Sequence, residues 1–250
     1  MDAVLPGTYA RWRGTRLGEL TERVERDLVL DLAGPLAGRR VLDVGCGDGT
    51  YALAAASRGA LVTAVDRSDE MLEAARQRAE GAGAQIRFER GDASRLPFDD
   101  ESFDVVLAVT VLCFVEDAAR AIDEVARVLA PGGRLVLADL NRWSTWAAWR
   151  RMRAFLGSRT WRNARFRSAG ELARLATGAG LDVQRKAGAV HYPPNELLAP
   201  LLAPLDRPLG ATTTLGAAFV VVAATRPPSP HWRRSFVAGA LGAERQDHEQ

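Results

Sequence analysis

From residue 40 to residue 140 the chain alternates between short apolar runs and longer stretches whose apolar residues recur every three or four positions. Short runs of that kind read as buried strands, and the three-to-four recurrence reads as helices with one face on a core. RVLDVG (40–45) predicts the first strand and Thr50 to Arg58 a helix. ALVTAVD (60–66) predicts the second strand. SDEMLEAARQRAEGAG (68–83) reads as a helix opened by Ser68, whose hydroxyl can accept from a first-turn N–H, and closed by glycines. QIRFERGD (85–92) and FDVVLAVTVL (103–112) follow as strands three and four. Glu116 to Leu129 reads as a helix stopped by the Pro131-Gly132-Gly133 turn, and RLVLADL (134–140) as strand five. Beyond it, SAGELARLATGAG (168–180) predicts a helix, and LDVQRKAGAV (181–190) and LGAAFVVVAATR (215–226) predict strands six and seven.

Strands separated by helices imply right-handed crossovers and a parallel sheet covered on both faces, an α/β fold. The expected organisation is a helical cap over 1–39 and one domain over 40–225. A Trp/Arg-rich insertion at about 141–168 interrupts that domain, and a tail over 226–250 reads as mobile. No internal repeat and no second core are visible.

Composition narrows the class. Of 250 residues 47% are apolar and 26% charged, ordinary for a globular protein. The net charge of +2 gives no sign of a polyanion partner. Lys186 is the one lysine against 32 arginines, a bias that points to a high-GC genome and lowers the weight of any single arginine. Cys46 and Cys113 lie far apart in apolar segments, which fits a reducing compartment and neither a disulfide framework nor a metal cluster. MDAVLPGTYARWRG has no apolar signal region, and the longest apolar stretch, 215–224, is about half of what spanning a bilayer takes. The expectation is a cytoplasmic protein.

The stretch VLDVGCGDGTYAL (41–53) carries the first chemistry. Glycines at 45, 47 and 49 permit a sharp turn and bring bare backbone against a ligand. A dinucleotide-binding loop would read G-x-G-x-x-G and face a pyrophosphate. Here Asp43 and Asp48 flank the turn, and two carboxylates would repel a pyrophosphate by several kcal/mol at intermediate dielectric. A ligand with cationic groups and no phosphate reverses that sign. S-adenosylmethionine has an ammonium, a sulfonium and a ribose diol, and Asp66, 23 residues after Asp43, supplies an acceptor for the diol.

These residues resemble those of the class I S-adenosylmethionine-dependent methyltransferases, particularly the type 11 branch with the ubiquinone and menaquinone C-methyltransferases. VLDVGCGDGTYAL is similar to their first motif and AVDRSDEML to the acidic motif closing strand two. GDASRLPFDDESFDVVLAVTVLCFVED and LAPGGRLVLADL are similar to the adenine loop with strand four and to strand five. The resemblance covers residues 40 to 140. It implies a Rossmann-like, doubly wound seven-stranded sheet of order 3-2-1-4-5-7-6 with strand seven antiparallel. It also implies a donor site in which Asp43 lies near the methionine ammonium through water, and Gly45, Cys46 and Gly47 bring backbone to the methionyl portion. Asp66 would accept both ribose hydroxyls, Arg67 and Met71 would pack on the adenine faces, Asp92 and Ala93 would bind the adenine edge, and Thr110 would turn its carbonyl to the ammonium. Cys46 reads as a small loop residue with no nucleophilic or metal role, and no metal is implied.

The acceptor side is less legible. Methyl transfer from a sulfonium attacks an activated carbon, so no base motif is required, and the expected reaction is in-line transfer to a small organic molecule, leaving S-adenosylhomocysteine. Tyr9, in TYARWRGTRLG, is a candidate for closing over the methionine end, or it packs on the domain. His191, after strand six, is a candidate acceptor of a hydroxyl proton, or a satisfied loop histidine. Residues 141–170 contain eight arginines and no acid, with Trp143, Trp146 and Trp149 on one helical stripe. That stripe reads as core packing of a lid helix, as the wall of an acceptor pocket, or as a membrane-surface contact for a lipid quinone. Nucleic acid is not expected, because the arginines are confined to one segment. Two rivals remain: a non-catalytic cofactor-binding protein of the same fold, and an NAD(P)-dependent oxidoreductase. The oligomeric state is not legible.

Overall fold

A computed structural model describes residues 11–157 and 164–228. The elements run α1 (Arg16–Ala33), β1 (Arg40–Val44), α2 (Thr50–Ala56), β2 (Leu61–Asp66), α3 (Asp69–Gly81), β3 (Ile86–Arg90), β4 (Phe103–Val109) and α4 (Ala118–Val128). They continue β5 (Leu129–Leu140), α5 (Thr145–Phe155), α6 (Ala169–Gly178), β6 (Asp182–Ala189), α7 (Leu198–Thr212) and β7 (Phe219–Thr225). The strands form one sheet of order β3-β2-β1-β4-β5-β7-β6. The first five pair in parallel, and β7 runs antiparallel to both β5 and β6, as the resemblance implies.

The apolar runs are continuous because both faces of the sheet are covered. Along β5, Leu135 and Leu137 belong to one core and Val136 and Ala138 to the other, all fully buried. One core packs against α1 and α2, the other against α4 and α6. Ser68 caps α3 by accepting from the Met71 N–H, and Ser168 with Glu171 forms a reciprocal capping box on α6, the start signals read from the sequence. At the far side Leu140 and Ala189 both pair with Phe219, so the ends of β5 and β6 and the start of β7 meet at one edge. That is the same end of the sheet as the glycine loop.

Three details differ from the sequence reading. The helix before Pro131 ends at Val128, because Leu129 is already extended and pairs with Phe103 of β4. β5 then begins at Leu129 and absorbs the Pro-Gly-Gly turn as a register shift against β4. β4 ends at Val109, where Thr110 adopts a φ of 55° and a short turn over Leu112–Phe114 follows. Third, the pattern predicts no helix between strands six and seven, yet α7 is there, with Pro204 and Pro208 inside it. Proline removes a helical donor and reads as a breaker, so two of them conceal the element.

α7 sits very close to β6. A Cβ built on Gly210 would stand 1.9 Å from the Gly188 carbonyl oxygen, and Asp206 accepts the backbone N–H groups of Val190 at 2.9 Å and His191 at 2.6 Å. Gly210→Ala should therefore destabilise the fold by about 3 kcal/mol in denaturant titration. Gly178→Ala in α6, whose Cβ would meet nothing within 4 Å, should leave stability unchanged or raised by up to about 1 kcal/mol.

Candidate functional site

The glycine loop turns from β1 into α2 at the carboxyl end of the sheet. Gly45 and Gly47 have φ of 66° and 53°, conformations that other residues resist. They are glycine for different reasons. A Cβ on Gly45 would strike Val111 Cγ2 at 2.4 Å, whereas one on Gly47 would meet nothing within 4 Å. Gly45 therefore serves packing, and Gly47 faces open space. The loop is drawn onto β2 by the Gly45 and Cys46 N–H groups, which donate to the Val65 carbonyl at 2.8 and 3.0 Å. Asp66 completes the hold, accepting from the Gly47 N–H at 2.9 Å on one oxygen and from the Ser68 N–H at 2.9 Å on the other. Each oxygen keeps capacity for a further donor.

The two aspartates flanking the turn have separate fates, which corrects the simple count of two repelling carboxylates. Asp48 is held by Arg13, by Arg78 at 3.0 Å and by the Thr50 hydroxyl at 3.2 Å, so its charge is compensated inside the protein. Arg13 also donates to Thr50 Oγ1 at 2.6 Å and pairs with Glu22 at 3.3 Å, fastening the segment before α1 to the loop. Nothing in the sequence spacing pointed to Arg13. Asp43 is buried, and its Oδ2 has no hydrogen-bond partner among the described residues. Burial, with Asp66 and Asp48 nearby, pushes its pKa up to about 7 against the opposing Ala52 N–H. An orphaned carboxyl oxygen beside backbone open at Gly47 fits a ligand that brings a donor or a positive charge. Burial and the same carboxylates push the Cys46 thiol up, in keeping with a small loop residue.

The strand ends gather most of the other expected residues. Arg67 is exposed at the end of β2, Met71 is half-buried in the first turn of α3, and Asp92 and Ala93 follow β3. Asp92 accepts from the Ser94 N–H at 2.7 Å, which fixes the turn. Thr110 donates its N–H to Ala138 at 2.8 Å, and its carbonyl accepts from the Cys113 thiol at 3.4 Å. His191 is not brought to this group. Four strand spacings, roughly 19 Å, separate β6 from β1. Its Nδ1 lies 2.9 Å from Asp206, while Nε2 is buried without a hydrogen-bond partner among the described residues. Tyr9 lies outside the described residues, as do part of the 141–168 insertion and all but the start of the expected tail.

The tryptophan stripe divides. Trp146 is buried and donates Nε1 to the Tyr192 carbonyl at 2.8 Å, Trp149 stacks edge-on against it at 6.3 Å, and Trp143 is exposed. Several insertion arginines serve structure. Arg167 donates to the Leu112 carbonyl at 2.7 Å and Arg165 to that of Glu116 at 3.1 Å, tying the end of the insertion to the turn after β4. Asp139 and Glu25 escaped the sequence reading. Both are buried, and desolvation raises them to about 6 and about 8, with Arg167 opposing the rise at Asp139 and Arg150 at Glu25. Asp139 was the one signal available, a lone acid in an apolar strand. A cavity of about 850 Å³ lined by Arg40, Leu61, Arg87 and Phe98 lies at the opposite, amino end of the strands, away from all these groups.

Glu25, Asp43 and Asp139 hold protons in the folded chain at pH values where the unfolded chain, with ordinary pKa near 4, has released them. The folded state binds more protons, so stability should fall as pH rises between about 4 and about 8. Thermal unfolding across that range checks it, and Asp43→Asn should flatten the slope up to about pH 7. Gly45→Ala should cost more stability than Gly47→Ala, since only the first adds a clash with Val111 to the shared backbone strain; denaturant titration of both variants reads the difference.

Comparison with known proteins extends the picture. A family described as "Methyltransferase domain" matches residues 42–137, from β1 into β5. The demethylmenaquinone methyltransferase of Clavibacter sepedonicus is 44% identical over 107 residues, 43% of this chain and 43% of that protein. The ubiquinone biosynthesis O-methyltransferase of Aeromonas salmonicida is 32% identical over 188 residues, 68% of this chain and 74% of that protein. The chain thus spans under half the length of the first relative and about three quarters of the second. A crystal structure of an S-adenosylmethionine-dependent methyltransferase from Thermotoga maritima matches with a TM-score of 0.69 at 27% identity, covering 88% of this chain and 95% of that one. The likeness reaches past the glycine loop to the far strands of the sheet, and the chain belongs to the class I S-adenosylmethionine-dependent methyltransferases.

Proposed function

We propose that the protein transfers a methyl group from S-adenosylmethionine to a small organic acceptor by in-line displacement, releasing S-adenosylhomocysteine. The observation that carries this reading is the pairing of Asp66 with the Gly47 N–H beside backbone open on its ligand side. In this reading Asp66 accepts from the ribose hydroxyls, and charge-assisted bonds of that kind contribute roughly 1.5–3 kcal/mol each. Asp43 takes the ammonium side through water, with Gly45 and Cys46 lending backbone and Thr110 its carbonyl. Arg67, Met71, Asp92 and Ala93 enclose the adenine. The bound donor supplies a methyl on a sulfonium, already activated for displacement. The chain's own task is then orientation, which contributes about 7–11 kcal/mol when well executed. The Arg13 tie supports the described residues just before α1 as a cover over the loop.

His191 stands three strand spacings beyond β4, roughly 14 Å. We assign it to the far wall of the acceptor site, where Asp206 orients its ring, rather than to the donor loop. The relatives are named for demethylmenaquinone methylation and for an O-methylation in ubiquinone biosynthesis, which supports a quinone-like acceptor here.

The direct test is transfer of labelled methyl from the donor to components of an extract of the source organism, followed by mass analysis of the product. Tight donor binding with no transfer to any component would instead favour a binding protein, and saturable NADH binding without S-adenosylhomocysteine binding would reverse the assignment. Asp66→Ala should weaken donor affinity by roughly tenfold to a hundredfold in calorimetric titration. Donor binding should also release a proton near pH 7, because a cation beside Asp43 favours its charged form; titration in two buffers of different ionisation enthalpy measures it. His191→Gln should raise the acceptor KM with kcat held within about tenfold, whereas loss of a pH-dependent limb of kcat would make it the proton acceptor.

A further inference from the structure

Thr110 is held in a conformation that threonine resists. Its φ of 55° lies in the left-handed region, where a side chain branched at Cβ is strained, and such strain persists only where the surroundings fix it. On one side the Thr110 N–H donates to the Ala138 carbonyl of β5 at 2.8 Å. On the other side the chain turns through Leu112–Phe114, and the Leu112 carbonyl accepts from Arg167 Nη1 at 2.7 Å, across 55 residues of sequence.

Arg167 is itself fastened twice. Its N–H donates to the Leu140 carbonyl at 3.3 Å and its carbonyl accepts from the Arg142 N–H at 3.3 Å, which seats its backbone beside the end of β5. Its guanidinium faces Asp139 Oδ2 at 3.8 Å. Asp139 is wholly buried, and its Oδ1 accepts from the Leu140 N–H at 2.8 Å. A carboxylate so placed is costly unless a charge offsets it, and Arg167 supplies that charge. The Cys113 thiol lies against Asp139 and donates to the Thr110 carbonyl at 3.4 Å, and Arg150 of α5 acts on the same thiol. The turn also meets the glycine loop, since Val111 Cγ2 stands 2.4 Å from where a Cβ on Gly45 would be.

We propose that Asp139 and Arg167 are a positioning pair for the methyl donor. Arg167, held by Asp139, fixes the turn after β4 so that the Thr110 carbonyl faces the donor's ammonium. A carbonyl oxygen has two lone pairs, so the thiol and an ammonium can share it. Neither residue touches the donor: Asp139 acts through Arg167, and Arg167 through the turn. The pair also ties the insertion that carries α5 to the methionyl half of the donor site. The inference rests on the donor reading given under the proposed function.

Two probes separate positioning from a general loss of structure. S-adenosylhomocysteine carries the ammonium, whereas methylthioadenosine has the same adenosine and sulfur without the amino acid. Both affinities are measured by calorimetric titration at about pH 8, where Asp139, raised to about 6 by burial, is charged; thermal unfolding runs in parallel. Arg167→Met should weaken S-adenosylhomocysteine by roughly tenfold and methylthioadenosine by less than about twofold. Asp139→Asn, nearly isosteric, should weaken S-adenosylhomocysteine by roughly threefold. That difference from the native protein should vanish as pH falls below about 6, where the native carboxyl takes up its own proton. Arg142→Met, which removes a pairing with Glu171 at the other end of the insertion, should change neither affinity. Equal losses for the two probes, or no loss in either folded variant, would overturn the proposal. If Arg167→Met does not fold, Asp139→Asn decides. Native protein that binds neither probe would sink the donor reading and this proposal with it, whereas native binding that the variants leave unchanged overturns this proposal alone.

Discussion

Asp66 accepts a hydrogen bond from the Gly47 N–H, and that bond couples three elements that would otherwise move separately. It joins the carboxyl end of β2 to the loop after β1, while the other oxygen holds the Ser68 N–H at the start of α3. The loop's positive-φ glycines allow many shapes, and this carboxylate, with the Val65 carbonyl behind it, selects one. Backbone groups are thus aimed before any ligand arrives, which spares the ordering cost that binding would otherwise carry.

The same loop treats two like charges in opposite ways. Asp48 is neutralised by Arg13 and Arg78, and in exchange it anchors the segment leading into α1. Asp43 is buried one strand-end away with an oxygen unsatisfied, a state that costs on the order of 4 kcal/mol when charged. A fold selected for stability alone would not retain that arrangement, and functional sites are where such costs persist. A cation brought beside Asp43 would remove that burden, so under the proposed function the destabilising feature and the recognition feature would be the same atom.

Beyond the donor side, arginines that look like a ligand-binding cluster in the sequence are distributed among distinct tasks. Arg165 and Arg167 hold carbonyls of the turn after β4, Arg142 pairs with Glu171 at 2.6 Å, and Arg151 and Arg153 remain on the surface. Trp146 is a core residue whose indole locks α5 to the loop before α7, whereas Trp143 faces water. α1, α5 and α7 are therefore a set of tied elements arranged around the ends of β5 and β6, the side to which the proposed function assigns the acceptor.

Local signals made the strands, the caps and the glycine loop legible in advance. Apolar runs buried on both faces, serine at the start of α3 and α6, and glycines at forced backbone angles each act within a few residues of one another, and the order of the sheet came with the family resemblance those motifs carry. What the tertiary structure alone decided depends on pairs distant in the chain: Arg13 with Asp48, Asp206 with His191, Trp146 with Tyr192. Periodicity cannot report which of two aspartates finds an arginine 35 residues away, nor that a proline-bearing segment becomes a helix because β6 offers it a glycine-lined seat. α7 was concealed for that reason, and the direction its leucines face is a property of the packed molecule.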